Sequence, residues 1–329
     1  MGIHRLAAGL ALLIILSAST SAHILVPLKR IGPGWNGNHF AWMSFVAFRP
    51  DGKEVVSDAA ADPDDASGGL TFWTFPGGRL IKRWKPGLFA PFGDWTYYTT
   101  KNEIRRFRDD KVVYSLGPDD AAFAFSADSR YAALGYTGKA DKDAIRVVTL
   151  PDGKLVSAFG KNAPFGVAFS PDGRLLAEGH WDFVALWDVR TGRRVATFRG
   201  LGRYVEGLSF NRRGRLLAVS SDLGTVQVWN VRRRKRIATF AVDGGEVSEP
   251  VFDPRGRYVA FGVYGTGSAF LGDLRTGRIA DHQKISDLGC GSVAFSPDGR
   301  YLITPSTGGL VTWPYDIGGT IRVFRVRAR

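Results

Sequence analysis

The chain has 329 residues, a formal net charge of +13 and a single cysteine, Cys290. This length is enough for an extensive hydrophobic core, and one cysteine excludes an intramolecular disulfide framework. The excess of positive charge keeps anionic partners among the classes to consider. We expect Cys290 itself to be a small buried residue rather than a reactive thiol.

The first 22 residues have the pattern of a secretory signal. Arg5 supplies a positive start, Leu6 to Leu16 form an apolar run, and Thr20 to Ala22 offer a small-residue cleavage site. The run is shorter than the roughly 20 apolar residues that span a bilayer. We therefore expect a secreted or periplasmic protein with no transmembrane span in the mature chain, and an uncleaved membrane anchor is the alternative. Residues 23–45 would then form an N-terminal strand and a lead-in loop.

Residues 46–329 contain a short sequence pattern that recurs seven times. Each copy starts with a phenylalanine, and most copies have a proline two residues later and a glycine four residues later. Proline presets φ for the second position of a turn and glycine supplies a positive φ, so the pattern predicts a hairpin between two strands. The anchors of the seven copies are Phe48, Phe89, Phe125, Phe169, Phe210, Phe252 and Phe295.

A second pattern, 18 to 25 residues after each anchor, predicts a third strand in every copy. The position is occupied by Trp73, Phe107, Val148, Trp187, Trp229, Gly272 and Trp313. A glycine five residues later in most copies indicates the turn to a fourth strand. Four strands in a period near forty residues predict an all-β fold, a seven-bladed β-propeller of four-stranded antiparallel blades.

The closure of the predicted ring is open to two interpretations. Trp313 and Phe324 keep an eleven-residue spacing seen in other copies, which favours Ile321 to Val326 as the outer strand of blade seven. Ile24 to Lys29 is then a surplus strand. It either adds to the edge of blade seven, covering an exposed hydrogen-bonding edge, or displaces part of the C-terminal segment and closes the ring itself.

The pair Trp187-Asp188 ends a segment that begins at Val167 with VAFSPDGRLLAEGHWDFVALWD. This segment resembles the WD-repeat family and, more widely, bacterial propellers with SPDG-type turns. The resemblance implies a propeller over about residues 46 to 327. In this chain Asn230 follows Trp229, and Gly179-His180 lies after a second strand rather than before a first one. The buried Asp-His-Ser-Trp hydrogen-bond network of the family is therefore expected to be absent.

Alternating strand direction divides the connections between two ends of the predicted ring. The first-second and third-fourth turns emerge on one end, which we call the turn face. The second-third loops and the links between blades emerge on the other, the link face. Nearly all the excess positive charge falls on the turn face, and acids collect on the link face. The densest group of cations, the basic patch, consists of Arg212, Arg213, Arg215, Arg232, Arg233, Arg234, Lys235 and Arg236 in blade five.

The leading functional hypothesis is an exported, non-enzymatic propeller that acts as a monomeric platform for an unidentified protein partner. Aromatic and polar residues of the link face have no assigned packing role and suit an interface centre. They are Tyr136, His180, Trp181, Asp182, Tyr204, Asp222 and Tyr264. One alternative is a binder of an anionic envelope polymer or lipid headgroups through the basic face. Another is an enzyme in the axial funnel, which predicts a metal or a carboxylate of shifted pKa there.

No catalytic, cofactor or metal site is predicted. The histidines have no metal-ligand spacing, the glycines are explained by hairpins rather than by a phosphate loop, and there is no G-x-S-x-G nucleophile elbow. Nucleic acid is not an expected partner for an exported chain.

Overall fold

The computed structural model describes residues 24–31, 45–57, 70–84, 96–100, 103–117, 120–136, 144–286, 289–306 and 320–327. Within these ranges every regular element is a β-strand. The first strands in chain order are β1 (Leu25–Ile31), β2 (Val46–Phe48), β3 (Glu54–Ser57), β4 (Leu70–Thr74), β5 (Leu80–Trp84), β6 (Tyr97–Thr99), β7 (Glu103–Arg106), β8 (Val112–Ser115), β9 (Asp120–Phe125), β10 (Tyr131–Tyr136), β11 (Ile145–Thr149) and β12 (Leu155–Phe159).

The remaining strands follow the same order along the chain. They are β13 (Gly166–Phe169), β14 (Leu175–Gly179), β15 (Phe183–Asp188), β16 (Arg194–Arg199), β17 (Val205–Phe210), β18 (Leu216–Ser221), β19 (Thr225–Asn230), β20 (Lys235–Ala241), β21 (Val251–Phe252), β22 (Tyr258–Val263), β23 (Ser268–Asp273), β24 (Arg278–Lys284), β25 (Ala294–Phe295), β26 (Tyr301–Ser306) and β27 (Thr320–Val326).

These strands form seven antiparallel sheets, and each sheet is one blade. Six sheets have four strands, and the sheet of blade two has β6, β7 and β8 within the described residues. Inner strands of successive blades contact one another from β9 through β13, β17, β21 and β25, and β25 contacts β2 of blade one. The predicted all-β, seven-bladed propeller is confirmed.

The anchor phenylalanines mark the ends of the inner strands. Phe48, Phe125, Phe169, Phe210, Phe252 and Phe295 are each the last residue of the first strand of their blade, and Phe89 lies outside the described residues. The core is divided among the interfaces between blades. One cluster, for example, joins Ile145 and Phe159 of blade three to Leu176 and Val189 of blade four. Neighbouring blades therefore cover the two faces of each sheet.

Blade seven is completed by the N-terminal strand. The strand order in this sheet is β1-β27-β26-β25, so β27 is the third strand and β1 the outer one. The prediction that Ile321 to Val326 form the outer strand is wrong, and the alternative in which the N-terminal segment closes the ring is confirmed. The reason is visible in the register: Phe324 lies opposite Leu302, as Trp187 lies opposite Leu176 in blade four.

The eleven-residue spacing of Trp313 and Phe324 therefore does not mark the third and fourth strands of blade seven, as it does in other blades. Phe324 takes the third-strand aromatic position that the sequence assigned to Trp313, a residue outside the described ranges. Ile31, opposite Ile321, takes the place that Phe198 has in blade four and is buried against blade one. Pro27 is compatible with this arrangement because β1 is an edge strand, where a missing amide donor breaks no ladder.

In blade two the third-strand position belongs to Arg105 rather than Phe107. A register shift between Ile104 and Arg105 matches the shift between Leu186 and Trp187 in blade four. The assignment of Phe107 to this position is wrong by two residues. Phe107 instead packs against the core between blades one and two.

Among the residues that the structure describes, three non-glycine residues have the left-handed backbone conformation, and all three occupy turn positions where other blades have glycine. Ser129 (φ 54°) stands in the first turn of blade three, where Gly173 stands in blade four. Asp110 (φ 56°) and Arg234 (φ 53°) stand in third-fourth turns, where Gly192 stands in blade four. This conformation is unfavourable for a residue with a Cβ atom. The turn geometry is therefore imposed by the blade and not by the residue.

Candidate functional site

Three aromatic side chains meet on the link face of blades four and five. Phe165 lies in the link before β13, Trp181 in the loop between β14 and β15, and Tyr204 in the link before β17. The Tyr204 ring is edge-on to Phe165 at 4.9 Å between centroids and 4.2 Å from Trp181. Phe165 is 53% exposed and Trp181 is 50% exposed. We call these three residues the aromatic cluster.

A charged pair borders the aromatic cluster. The Arg203 guanidinium lies 5.9 Å from the centroid of Trp181 and 5.7 Å from that of Tyr204, within range for cation–π attraction. Its Nε is 3.9 Å from Oδ2 of Asp222. Oδ1 of Asp222 is buried and has no hydrogen-bond partner in the described part of the chain. The carboxylate of Asp222 thus borders the aromatic cluster with one oxygen paired to Arg203 and the other buried.

The structure brings together three of the predicted link-face residues: Trp181, Tyr204 and Asp222. Asp182 is exposed on the same loop as Trp181, and its Oδ2 is 4.0 Å from Nη1 of Arg199. Tyr264 lies elsewhere, with its hydroxyl 3.4 Å from the carbonyl oxygen of Gly291 in the link before β25. The side chain of Tyr136 lies outside the described part of the structure.

His180 differs from the expectation for a link-face contact because it is buried. Its Nε2 is 3.2 Å from Oε1 of Glu178, a fully buried carboxylate. The other oxygen of Glu178 accepts a hydrogen bond of 2.6 Å from Trp187 Nε1. The His180 ring stacks on Phe183. His180 therefore belongs to an internal network rather than to the surface.

The network of blade four differs in composition from the Asp-His-Ser-Trp network that the sequence predicts to be absent, because here a glutamate accepts from the tryptophan. Blade one contains a tryptophan–serine pair, in which Trp73 Nε1 donates to Ser57 Oγ at 3.3 Å. Glu178 occupies in blade four the register position that Ser57 has in blade one. The sequence argument missed the network because a glutamate replaces the serine and the histidine comes from the following loop. Glu178, His180 and Trp187 border a cavity of about 600 Å³ between blades three and four.

Phe165 and Arg203 were not identified from the sequence. Both lie in links between blades, where the repeat pattern assigns no residue type. The available signal was weak: an aromatic residue four positions before an anchor, and a cation next to a predicted contact residue, Tyr204. Their proximity depends on where two links cross the end of the ring, which the period of the repeat does not determine.

The basic patch lies where the sequence places it, on the two turns of blade five, and all eight of its side chains are exposed. The turn containing Arg212 and Arg213 joins β17 to β18. The turn containing Arg232 to Arg234 joins β19 to β20. The aromatic cluster and the basic patch therefore lie at opposite ends of the propeller.

One carboxylate of shifted pKa lies close to the inner strands. Desolvation by the surrounding protein raises the pKa of Glu249 to about 7, although its side chain keeps contact with solvent. A Cβ atom at Gly207, on inner strand β17, would be 2.5 Å from the Glu249 Cα. The axial-funnel hypothesis predicted a carboxylate of this kind. Among the described residues, no three His, Cys, Asp or Glu side chains are grouped so as to hold a metal ion.

Residues 192–230 match the family model described as WD domain, G-beta repeat. This segment is therefore similar to a WD repeat. It runs from the last turn of blade four through outer strand β16 to the end of β19 in blade five. The matched segment thus begins one strand earlier than blade five, with the outer strand of blade four. Blade seven shows the same offset, because its outer strand, β1, precedes blade one in the sequence. The resemblance to WD-repeat propellers is confirmed.

No curated protein matches the chain. Over the described ranges, the structure contains no helix with the length and apolar character needed to cross a bilayer.

Proposed function

We propose that this propeller is an exported, non-enzymatic platform that binds a partner protein through the aromatic cluster on its link face. The observation that carries the proposal is the contact of three rings, Phe165, Trp181 and Tyr204, at a surface where two of them stay half exposed. Rings that served only the fold would be expected in the interfaces between blades.

The chemistry of the cluster fits the centre of a protein interface. Tryptophan, tyrosine and arginine are the residue types that most often carry binding energy, and Arg203 lies over two of the rings. Propellers with WD repeats are commonly protein-interaction platforms, and this chain has both the fold and a segment similar to a WD repeat.

The test starts with cross-linking of the full chain in its native cells and identification of the captured protein. The dissociation constant for that purified protein is then measured with the wild type and with F165A/W181A/Y204A. We expect a loss of about a hundredfold or more, since one such hot spot is often worth about 2 kcal/mol or more. L80A/I81A removes two exposed apolar side chains of β5 and serves as the control. Unchanged affinity of the triple variant would refute the proposal.

Export is tested separately by sequencing the N-terminus of the protein recovered from the cell envelope and the medium. An N-terminus at His23 supports export with cleavage after Ala22. Recovery of the chain only in the cytoplasm, with residues 1–22 retained, contradicts it. The raised pKa of Glu249 favours the enzymatic alternative, and the variant Glu249→Gln tests that alternative.

A further inference from the structure

The basic patch gathers eight turn cations that have no acidic partners in the described part of the chain, whereas several turn cations of other blades are paired. Among the described residues, none of its eight cations lies within 4 Å of a carboxylate oxygen. Turn cations of other blades do have such partners: Arg106 pairs with Asp109, Arg130 with Asp128, Arg174 with Asp172, and Arg300 with Asp298. The positive charge of blade five is therefore not compensated within the described chain.

The first turn of blade five has no aspartate but keeps the hydrogen bonds to the turn amides that blade four makes with Ser170 and Asp172. In blade four, Ser170 Oγ accepts from the amide of Leu175 and Asp172 Oδ1 from the amide of Arg174. In blade five, Asn211 Oδ1 alone accepts both equivalent bonds, from Arg215 at 2.9 Å and from Leu216 at 3.0 Å. Arg212 and Arg213 then stand in place of the proline and aspartate of blade four.

The third-fourth turn of blade five shows the same exchange. Asp188 Oδ1 accepts from the amide of Thr191 in blade four at 2.8 Å. The neutral Asn230 accepts the equivalent bond from Arg233 in blade five, also at 2.8 Å. Arg234 occupies the left-handed position where blade four has Gly192. Three residues that favour turns are thus replaced by arginine in one blade, and departures of this kind from local preference are expected at functional sites.

The N-terminal strand begins on the same face, close to further cations. The amide of Val326 donates to the carbonyl of Arg300 in the first turn of blade seven, and the amide of Arg327 donates to the carbonyl of Ile24. Ile24 also lines a cavity with Arg275 and Arg278 from the third-fourth turn of blade six. The chain therefore enters the ring at the turn face of blade seven, and blade six lies between this point and the basic patch.

The apolar run Leu6 to Leu16 precedes this point in the sequence. The sequence predicts that this run acts as a cleaved signal or as an anchor, and either role would place it in a bilayer. The eight residues from Ser17 to Ile24 can extend over at most about 29 Å. While the run is attached, the turn face of blades five to seven consequently stays within reach of a membrane surface.

We propose that the turn face of blades five to seven is a membrane-contact surface, which binds the phosphate groups of anionic lipids through the basic patch. Guanidinium groups suit phosphate because their planar fork donates two parallel hydrogen bonds. All eight side chains of the basic patch are exposed, which fits contact with a broad headgroup layer. The aromatic cluster then faces away from the bilayer and is free to receive a protein partner.

The experiment measures co-sedimentation of the full chain with vesicles of phosphatidylglycerol and phosphatidylcholine, and with vesicles of phosphatidylcholine alone. Wild type is expected to prefer the anionic vesicles, and less strongly at high salt. The variant R213Q/R232Q/R233Q/K235Q leaves Arg234, which donates to the carbonyl of Val195, in place. Each cation near an anionic surface contributes about fivefold to binding, so the variant should lose about a hundredfold or more.

A control variant carries the same change in net charge on the same face. R49Q/R130Q/K154Q/R174Q removes four turn cations of blades one, three and four, each close to a carboxylate. We expect this control to bind anionic vesicles within about tenfold of wild type, because its cations are dispersed over three blades and each lies close to a carboxylate. If the four-site patch variant does not fold, R232Q/R233Q takes its place with a smaller expected loss.

Three results would overturn the proposal. The first is equal binding of wild type to both kinds of vesicle. The second is equal loss of binding in the patch variant and the control variant, which would indicate general attraction by net charge. The third is tight binding to a soluble acidic polysaccharide, such as alginate, without binding to anionic vesicles.

Discussion

The backbone amide of Leu25 donates a buried hydrogen bond of 2.8 Å to the carboxylate of Asp281. This bond joins β1, the outer strand of blade seven, to β24, the outer strand of blade six. The side chain of Leu25 is fully buried in the cluster between these blades, with Leu271, Leu302 and Phe324 among its members. The start of the ring-closing strand is therefore held by both packing and a hydrogen bond.

Truncation of this anchor should weaken the closed ring. Leu25→Ala removes a fully buried side chain, so we expect the free energy of unfolding to fall by about 2–5 kcal/mol. Leu28→Ala, on the same strand but 44% exposed, is the matched control and should change it by less than about 0.5 kcal/mol. Denaturant unfolding measures both. Equal effects of the two substitutions would show that β1 is not held as described.

The buried network of blade four should matter more than its simpler counterpart in blade one. Glu178→Ala removes the acceptor of Trp187 Nε1 and the carboxylate next to His180, and leaves a cavity. We expect a loss of about 2–4 kcal/mol. Ser57→Ala removes one neutral bond of 3.3 Å to Trp73 and should cost about 0.5–1.5 kcal/mol. Thermal unfolding compares them, and a smaller effect of Glu178→Ala would contradict the structural role of the network.

The left-handed turn residues predict substitutions that stabilise the protein. Ser129→Gly relieves the cost of a Cβ atom at φ 54° and should raise the unfolding free energy by about 0.5–1 kcal/mol. The reverse change in blade four, Gly173→Ser at φ 67°, should lower it by about 1 kcal/mol. Both are measured by chemical denaturation. If Ser129→Gly destabilises the protein, the turn of blade three depends on a serine contact instead of on backbone conformation.

The raised pKa of Glu249 predicts how stability depends on pH. An unfolded chain ionises this carboxyl near 4.5, whereas the folded chain does so at about 7. The folded state therefore loses stability as pH rises between these values, and the loss persists above them. Glu249→Gln should stabilise the protein at about pH 8 by up to roughly 1 kcal/mol, a figure reduced for solvent contact, and hardly at all below about pH 4.

The control for this experiment is Glu246→Gln, which removes one negative charge from the same link at an exposed position. An equal gain in the control would attribute the effect to net charge. The same variants also address the enzymatic alternative. Discovery of an activity that Glu249→Gln abolishes would replace the non-enzymatic proposal.

Local sequence determined most of what could be predicted about the blades. The turn after each anchor depends on residues within five positions, such as Pro171 and Gly173, so its place was readable without any knowledge of the fold. The closure of the ring was different. The pairing of Ile31 with Ile321 joins residues from the two ends of the chain, and the spacing of Trp313 and Phe324 could not show which end supplies the outer strand.

The candidate site was partly predictable for the same reason. Trp181 and Tyr204 were identified because the repeat places them in connections on one face. Phe165 was missed because its contact with Tyr204 depends on the path of two links. His180 was assigned to the surface because its burial depends on Glu178, whose direction is set by the face of β14 that packs against blade three.

The pairing of Leu25 with Val326 has a consequence for biosynthesis. β1 is synthesised first among the described strands but pairs with β27, which is synthesised last. Bringing two such distant segments together carries an entropic cost that shorter hairpins avoid. Individual blades can fold as they emerge, but the ring cannot close before β27 has left the ribosome. Until that moment the edge of β1 that will bind β27 is unpaired, so folding catalysts can act on the incomplete ring.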